Sequence, residues 1–423
     1  MNALLASTTR ALADTGRWLR FAAQNTRRNG RRSAVTVAIA ALGTAAILLA
    51  GGFALYTYQG LAQSAARTTG HLIVGRSEQF TRDEDTPLQW GLDGADALRE
   101  RLLADPAVRQ VLPKVEFTGL ISNGEKSTVM MSTGIDADAE LAIKGPFLTL
   151  REGRMLTSDQ RNAVMLGEGL ARSLKARPGS SLTLLASTVD GALNAQDVTV
   201  AGVFSTGVNE LDKRLVYIDL PSAQKLLGSP RVSSLGVFLD RMDSTAPAQA
   251  RVRALLDAAP ATTGLAVQTW LDQAGFYRSV KSLYDRIFGA LGLIIGVIVV
   301  FVVTNAMAMA IIERTREIGT LRALGTRPGE LVRSFAFEGL VLGGAGALIG
   351  SVLAAAVSVA LLLFPVQMPP PPGRSVGYPL QVLIDPTLYG GTLTAMLLLA
   401  TLASAIVARR TVHKPIVDAL AHV

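Results

Sequence analysis

The sequence predicts an α-helical membrane protein with four transmembrane helices and one large α+β extracytoplasmic domain. Three observations predict it: four long uncharged apolar runs, basic charge gathered beside one set of their ends, and a polar segment of mixed composition between the first run and the second. Hydrophobic types make up 49% of the 423 residues and charged types 17%. A chain this apolar is searched first for membrane spans. Residues 33–55 and 386–408 carry no charge for 23 residues each, and 287–312 and 339–364 carry none for 26 each. A helix rises 1.5 Å per residue, so about 20 residues cross the roughly 30 Å hydrocarbon core. One such run fits a buried soluble helix; four in one chain do not.

Charge orients the spans. Of the net +8, residues 1–32 supply +6, the loop 313–338 supplies +1 and the tail 409–423 supplies +2. The segment 56–286 carries −1, and the loop 365–385 balances Arg374 with Asp385. Basic excess on one side of the spans places residues 1–32, 313–338 and 409–423 in the cytoplasm, with 56–286 and 365–385 outside. Anionic lipid headgroups account for the basic leader, so no nucleic-acid partner is implied. The 32-residue leader and the length of the first apolar run are unlike a signal peptide, whose apolar region is about 7–15 residues. Residues 62–65 are the one stretch resembling a cleavage site. Cysteine is absent, which excludes disulfides, thiolate metal sites and cysteine nucleophiles.

Residues 56–286 read as mixed helix and strand. Ala95, Leu98, Leu102 and Leu103 fall at helical spacing before Pro106. Residues 114–135 read as two strands around Asn123-Gly124, a strong hairpin signal. Further strands are expected at 181–186, 198–204, 215–220 and 233–239, and helices at 167–176, 221–227 and 246–258. Asp219 stands near the cap of the second of these helices, with Pro221 in its first turn. The pattern points to α+β sub-lobes including a ferredoxin-like βαβ arrangement. Residues 270–286 are expected to lead as one helix into the second span. Their aromatics Trp270, Phe276, Tyr277 and Tyr284 suit either the membrane interface or simple packing. The run Met368-Pro-Pro-Pro-Pro-Gly373 favours a stiff polyproline II strap.

No catalytic, cofactor or metal site is legible. Gly373-Arg-Ser-Val-Gly377 has the spacing of a nucleophile elbow but lacks the strand and helix that an elbow needs. Ser222-Ala-Gln-Lys225 has no companion motif, and both ends are expected to face solvent on a short helix. His71, His413 and His422 lie far apart. No G-x-x-x-x-G-K-[ST] loop occurs in these residues, so ATP, if used, is expected to bind a partner.

The informative stretch is 305–350. Glu313, Arg314, Arg316 and Glu317 form a charged turn, and Ile318, Leu321 and Leu324 follow at i, i+3 and i+6. Gly325 with Pro328 just beyond is a helix stop. The pattern fits a solvated basic loop, or a short amphipathic coupling helix for a cytosolic ATPase. In the next run, Gly339/Gly343 and Gly346/Gly350 have small-xxx-small spacing, which suits close helix packing within the chain or between two copies.

With E-R-T-R-E-I-G-T-L-R-A-L-G at 313–325, this stretch resembles the FtsX-type permease domain shared by the MacB, LolC and LolE families. Residues 164–171, 178–185, 200–207 and 226–228 resemble the matching periplasmic core domain, and 408–420 resembles the family's ending. The resemblance implies a multi-pass protein of the bacterial inner membrane, with two permease copies or paralogues paired to a dimer of a separate ABC ATPase. A periplasmic adaptor, an outer-membrane channel or a lipoprotein chaperone would be further partners. Glu313, Arg316, Glu317, Gly319, Arg322, Leu324 and Gly325 would form the coupling element. Unlike MacB, these residues include no ATPase domain. Export or lipoprotein extraction is the leading expectation, and an FtsX-like subunit that activates an external cell-wall hydrolase is the alternative.

Overall fold

The structure is a computed structural model and describes residues 30–258, 262–369 and 377–412. The polyproline strap and the Gly373–Gly377 motif expected from the sequence lie largely outside the described residues. The chain divides into a helical unit, Met1–Tyr58 with Val280–Val366 and Pro379–Val423, and an α+β unit, Gln59–Ser279 with Gln367–Tyr378.

The helical unit is built on four helices long and apolar enough to cross a membrane: Ser33–Thr69, Gly275–Glu313, Pro328–Leu363 and Pro386–Arg410. Only helices and closed barrels satisfy every backbone group in hydrocarbon, so uncharged runs of this length become helices. Three of the helices extend well past the uncharged residues. Backbone hydrogen bonding continues through amphipathic turns whose charges find water or a partner. The third helix packs by its glycines. A methyl at Gly339 would stand 2.5 Å from the Ser404 Cβ and 2.7 Å from the Ala400 carbonyl oxygen, and one at Gly343 would collide with the Ala400 Cβ. On the next turns, a methyl at Gly346 would stand 2.5 Å from the Ala40 Cβ, and one at Gly350 would stand 2.7 Å from the Thr44 Cβ. All four glycines therefore make contacts inside the chain. The first pair meets the fourth helix and the second pair meets the first helix.

The α+β unit holds ten strands in one sheet: β1 (Leu72–Arg76), β2 (Val108–Ser122), β3 (Ser127–Ile135), β4 (Thr149–Gly153), β5 (Ala163–Gly167), β6 (Ser181–Ser187), β7 (Leu193–Ser205), β8 (Leu215–Asp219), β9 (Ser234–Leu239) and β10 (Leu265–Thr269). Four of them, in the order β10-β1-β9-β2, are antiparallel throughout. Helix Ala95–Leu103 joins β1 to β2, and helix Thr245–Asp257 joins β9 to β10. This is the ferredoxin-like β-α-β…β-α-β order, with β3 to β8 inserted at its centre. The inserted strands and the far half of β2 pair in a closed circuit, β2-β3-β8-β5-β7-β6 and back to β2. The 15-residue β2 belongs to both parts. Its near half pairs with β9 and its far end with β6.

The expected hairpin around Asn123-Gly124 forms with a four-residue loop: Ser122 pairs with Ser127, and the Asn123 side chain accepts from the N–H groups of Glu125 and Lys126 at 3.0 and 2.7 Å. Local chemistry corrects two other expectations. Ser222 is buried and not solvent-facing. Its Oγ accepts from the Asn162 N–H at 3.1 Å, because the Ser222–Ala223–Leu226 face of helix Leu220–Leu227 packs on the sheet. The segment 270–286 is broken. A capping box of Thr269 and Asp272 opens a short helix, Trp270–Gln273, and Ala274 takes a non-helical conformation that ends it before Gly275 opens the second long helix. The aromatics there contact one another: Trp270 meets Tyr277 edge-on at 5.1 Å, and Tyr284 meets Phe288 at 5.6 Å.

One charged cluster is buried in the α+β unit. Lys114 on β2 and Lys144 at the end of helix Ala137–Lys144 both donate to the Thr68 carbonyl, at 2.5 and 2.9 Å. Glu140 lies 2.5 Å from the Lys144 ammonium and 3.7 Å from that of Lys114, and its side chain is fully buried. Burial, and then the neighbouring Lys144, push the Lys114 pKa down to about 8. Burial also acts to lower Lys144, but the Glu140 carboxylate outweighs it and holds Lys144 above its usual value.

Two outcomes follow for stability, both measurable on the full chain in detergent. Gly350→Ala forces a methyl against the first helix and should cost about 1–3 kcal/mol. Gly292→Ala, with nothing within 4 Å, should be neutral or gain up to about 1 kcal/mol. Equal Tm shifts for the two would contradict this packing. For Lys114, the folded pKa lies below the ordinary lysine value, so between pH 8 and about 9.5 the unfolded chain binds more protons and stability rises with pH, by at most roughly 1.4 kcal/mol per pH unit. Tyr217, pushed up by burial, keeps its proton across this window. Urea midpoints should rise from pH 8 to 9.5, and Lys114→Met should flatten the rise.

Candidate functional site

The second long helix ends at Glu313 because Arg314 leaves helical geometry, at φ −107° and ψ 13°. A new helix, Thr315–Ala323, starts at once, with the Ile318 N–H donating to the Arg314 carbonyl at 2.9 Å. Glu317 stands in its first turn and Arg322 in its last, each matched to the helix dipole. Gly325 ends it with φ +98°, a conformation that costs a residue with a Cβ but not glycine. The Gly325 and Thr326 N–H groups return to the carbonyls of Arg322 and Leu321, both at 3.0 Å. This closes the helix in a Schellman-type turn. Pro328 then opens the third long helix, whose Glu330 carboxylate accepts from the Arg327 N–H at 3.4 Å.

The short helix has a buried side and an exposed side. Ile318 is buried in a cluster with Ile311, Leu331, Phe335, Ala408 and Val412, so it packs where the second, third and fourth long helices converge. Gly319 is buried beside it. On the other side Glu313, Arg316, Glu317 and Leu321 are exposed, Arg322 is half-buried, and Leu324 is 80% exposed. A leucine held that far out on a helix closed by a glycine turn is available to a partner and not to the chain's own core. Of the predicted site residues, the structure thus gathers Glu313, Arg316, Glu317, Leu324 and Gly325 on one rim, and it assigns Gly319 to the buried side. Gly339, Gly343, Gly346 and Gly350 lie apart from this rim, in the helix crossings.

Sequence reading missed the partner of Arg314. Its guanidinium lies 3.5 Å from the Glu338 carboxylate, with the two side chains only 16% and 6% exposed. Arg314 occupies the break between two helices, and Glu338 sits immediately before Gly339 on the third. Both were legible as charges in the loop 313–338, but nothing in the spacing shows that they meet. Among the described residues no group of three or more His, Cys, Asp or Glu side chains converges as metal ligands do.

Arg314→Met strands a buried carboxylate and should destabilise the folded helical unit by about 3–5 kcal/mol, whereas Arg314→Met/Glu338→Met should recover most of the loss. A double-mutant cycle of detergent unfolding measures both. Additive losses would show that the pair is not coupled.

The FtsX-like permease C-terminal family model matches residues 289–416, and the MacB-like periplasmic core domain model matches residues 33–255. Among curated proteins, the chain is 28% identical over 272 residues to the "Lipoprotein-releasing system transmembrane protein LolE" of Haemophilus influenzae, covering 63% of this chain and 64% of that one. It is 26% identical over 256 residues to "Lipoprotein-releasing system transmembrane protein LolC" of Xylella fastidiosa, covering 59% of this chain and 60% of that one. The matches thus span a little under two thirds of these relatives. Among solved structures, the extracellular domain of the noncanonic ABC-type transporter YknZ from Gram-positive bacteria aligns over 47% of this chain and 99% of its own, at 17% identity and a TM-score of 0.35. Matched over more than half its length by the periplasmic core model, the chain belongs to the MacB-like periplasmic core domain family, and its residues 289–416 match the FtsX-like permease C-terminal model.

Proposed function

We propose that this chain is the permease subunit of an ABC transporter, and that a separate ATPase docks on the helix Thr315–Ala323. The observation that carries the reading is the two-sided build of that helix: Ile318 is anchored among three long helices, while Leu324 and the charges of Glu313, Arg316 and Glu317 face outward. A rim seated this firmly can pass a push from a bound partner into the helices it rests on, because a packed core moves as a unit. No nucleotide site is needed in the chain itself; ATP would bind the partner subunit.

The charge pattern of this sequence favours residues 313–338 on the cytoplasmic side, which would leave the α+β unit in the periplasm of a bacterial inner-membrane protein. The names of the relatives favour lipoprotein release as the work done, with export as the broader class. A dimer of permeases and a dimer of ATPases would make the working unit, joined by a periplasmic chaperone, adaptor or outer-membrane channel.

The test is co-purification of the full chain with its ABC-type ATPase in nanodiscs. Glu313→Lys/Glu317→Lys and Leu324→Asp should each lower ATPase recovery at least about tenfold, which corresponds to 1.4 kcal/mol of binding, while Tm stays within about 1 °C of the parent, as expected for exposed positions. Undiminished recovery in the folded variants removes the docking assignment. Recovery of a cell-wall hydrolase in place of a lipoprotein chaperone would redirect the reading to an FtsX-like regulator.

A further inference from the structure

The first long helix, Gly30–Thr69, ends inside the α+β unit, and its last turn is held in an unusual way. Helix C-terminal carbonyls have no intrahelical donor and are ordinarily left to water or to a glycine cap. Here Gly70 supplies the cap, at φ +98°, with its N–H donating to the Ala66 carbonyl at 2.8 Å. The Thr68 carbonyl is then taken by two ammonium groups from two different elements, Lys114 on β2 and Lys144 on the helix Ala137–Lys144. Glu140 bridges the two lysines from within that helix. One residue earlier, the Arg67 guanidinium lies 3.7 Å over the Phe147 ring, in the turn that follows the same helix.

The charges explain why the grip is specific. Two ammonium groups and one carboxylate leave one net positive charge in a site closed to water, and each buried ion costs several kcal/mol to desolvate. About half of that charge is offset by the end of the long helix, whose carbonyls carry about −0.5. The helix end is therefore a fourth member of the cluster, and withdrawing it leaves buried cations facing one carboxylate. Well-packed apolar side chains would stabilise the fold at least as well, but they cannot hold a carbonyl oxygen in one direction. The cluster's contribution is direction.

We propose that Lys114, Glu140 and Lys144 are positioning residues that lock the last turn of the first long helix to β2, so that displacement of this helix moves the α+β sheet without slack. The role rests on reading the chain as a subunit that passes movement along its helices, and it adds to that reading a named joint within the α+β unit. It predicts that removing the charges loosens the helix end while leaving the sheet intact.

The chain has no cysteine, so paired spin labels can be placed without background changes. In full-length protein in nanodiscs, without any ATPase, labels at Ser64→Cys and Thr118→Cys report the helix end against β2, and labels at Glu125→Cys and Arg253→Cys report the α+β unit alone. In the parent both distance distributions should be narrow. In Lys114→Met/Lys144→Met the first should widen at least about twofold, by local opening of the helix end, with the second unchanged. Glu140→Gln keeps the shape and removes the charge; it should widen the first distribution too, which a purely steric support would not do. If the double variant does not fold, Lys144→Met, which leaves a paired Lys114 and Glu140, carries the same comparison. A first distribution that stays narrow in variants whose second is intact overturns the proposal. Because no ATPase is present, this outcome is independent of whether the ATPase docking assignment holds.

Discussion

The approach of the third long helix to its two neighbours governs the helical unit. Four glycines at two small-xxx-small spacings give that helix two flat faces, one turned to the fourth helix at Ala400 and Ser404, the other to the first at Ala40 and Thr44. In hydrocarbon there is no hydrophobic gain from helix pairing, so contact area and backbone proximity carry the association. The seat of the short helix follows from this crossing. Leu331 and Phe335 lie on the third helix and Ala408 and Val412 on the fourth, and Ile318 finds a pocket between them only because the two helices run that close.

The same closeness explains how a charged pair is tolerated there. Arg314 sits where one helix has ended and the next has begun, at a point where the chain would otherwise have spare backbone groups. Glu338 faces it from the last turn before the first packed glycine. The pair ties the break to the third helix, so the short helix cannot swing about Arg314 independently of the long ones.

In the α+β unit the organising element is β2. It is long enough to serve the ferredoxin-like sheet by one half and the closed six-strand circuit by the other, and it carries Lys114 near the point where its partners change. A helix end fastened at Lys114 therefore acts on both parts at once. Phe204 stacks on Tyr217 at 5.1 Å in a smaller core close to the same cluster, filling the space beside helix Ala137–Lys144.

Apolar length and charge placement were enough to read four membrane helices, a domain between the first two, and a short helix stopped at Gly325, because these depend on local composition and on the one-dimensional order of charges. Several strands and helices of the domain were legible for the same reason, from alternation and caps such as Asp219. The strands β1, β4, β5 and β10 were not: Ala163–Gly167 is buried on every residue and Thr149–Gly153 exposed on every residue, so neither has an alternation to show. Spacing alone left open whether the glycines served pairing within the chain or between copies; the tertiary contacts show them engaged within it. The buried pairs were equally out of reach. Glu140 and Lys144 are spaced as helix neighbours, but Lys114, the Thr68 carbonyl and the union of Arg314 with Glu338 join residues from separate elements. Their burial, and with it their energetic weight, exists only once those elements have packed.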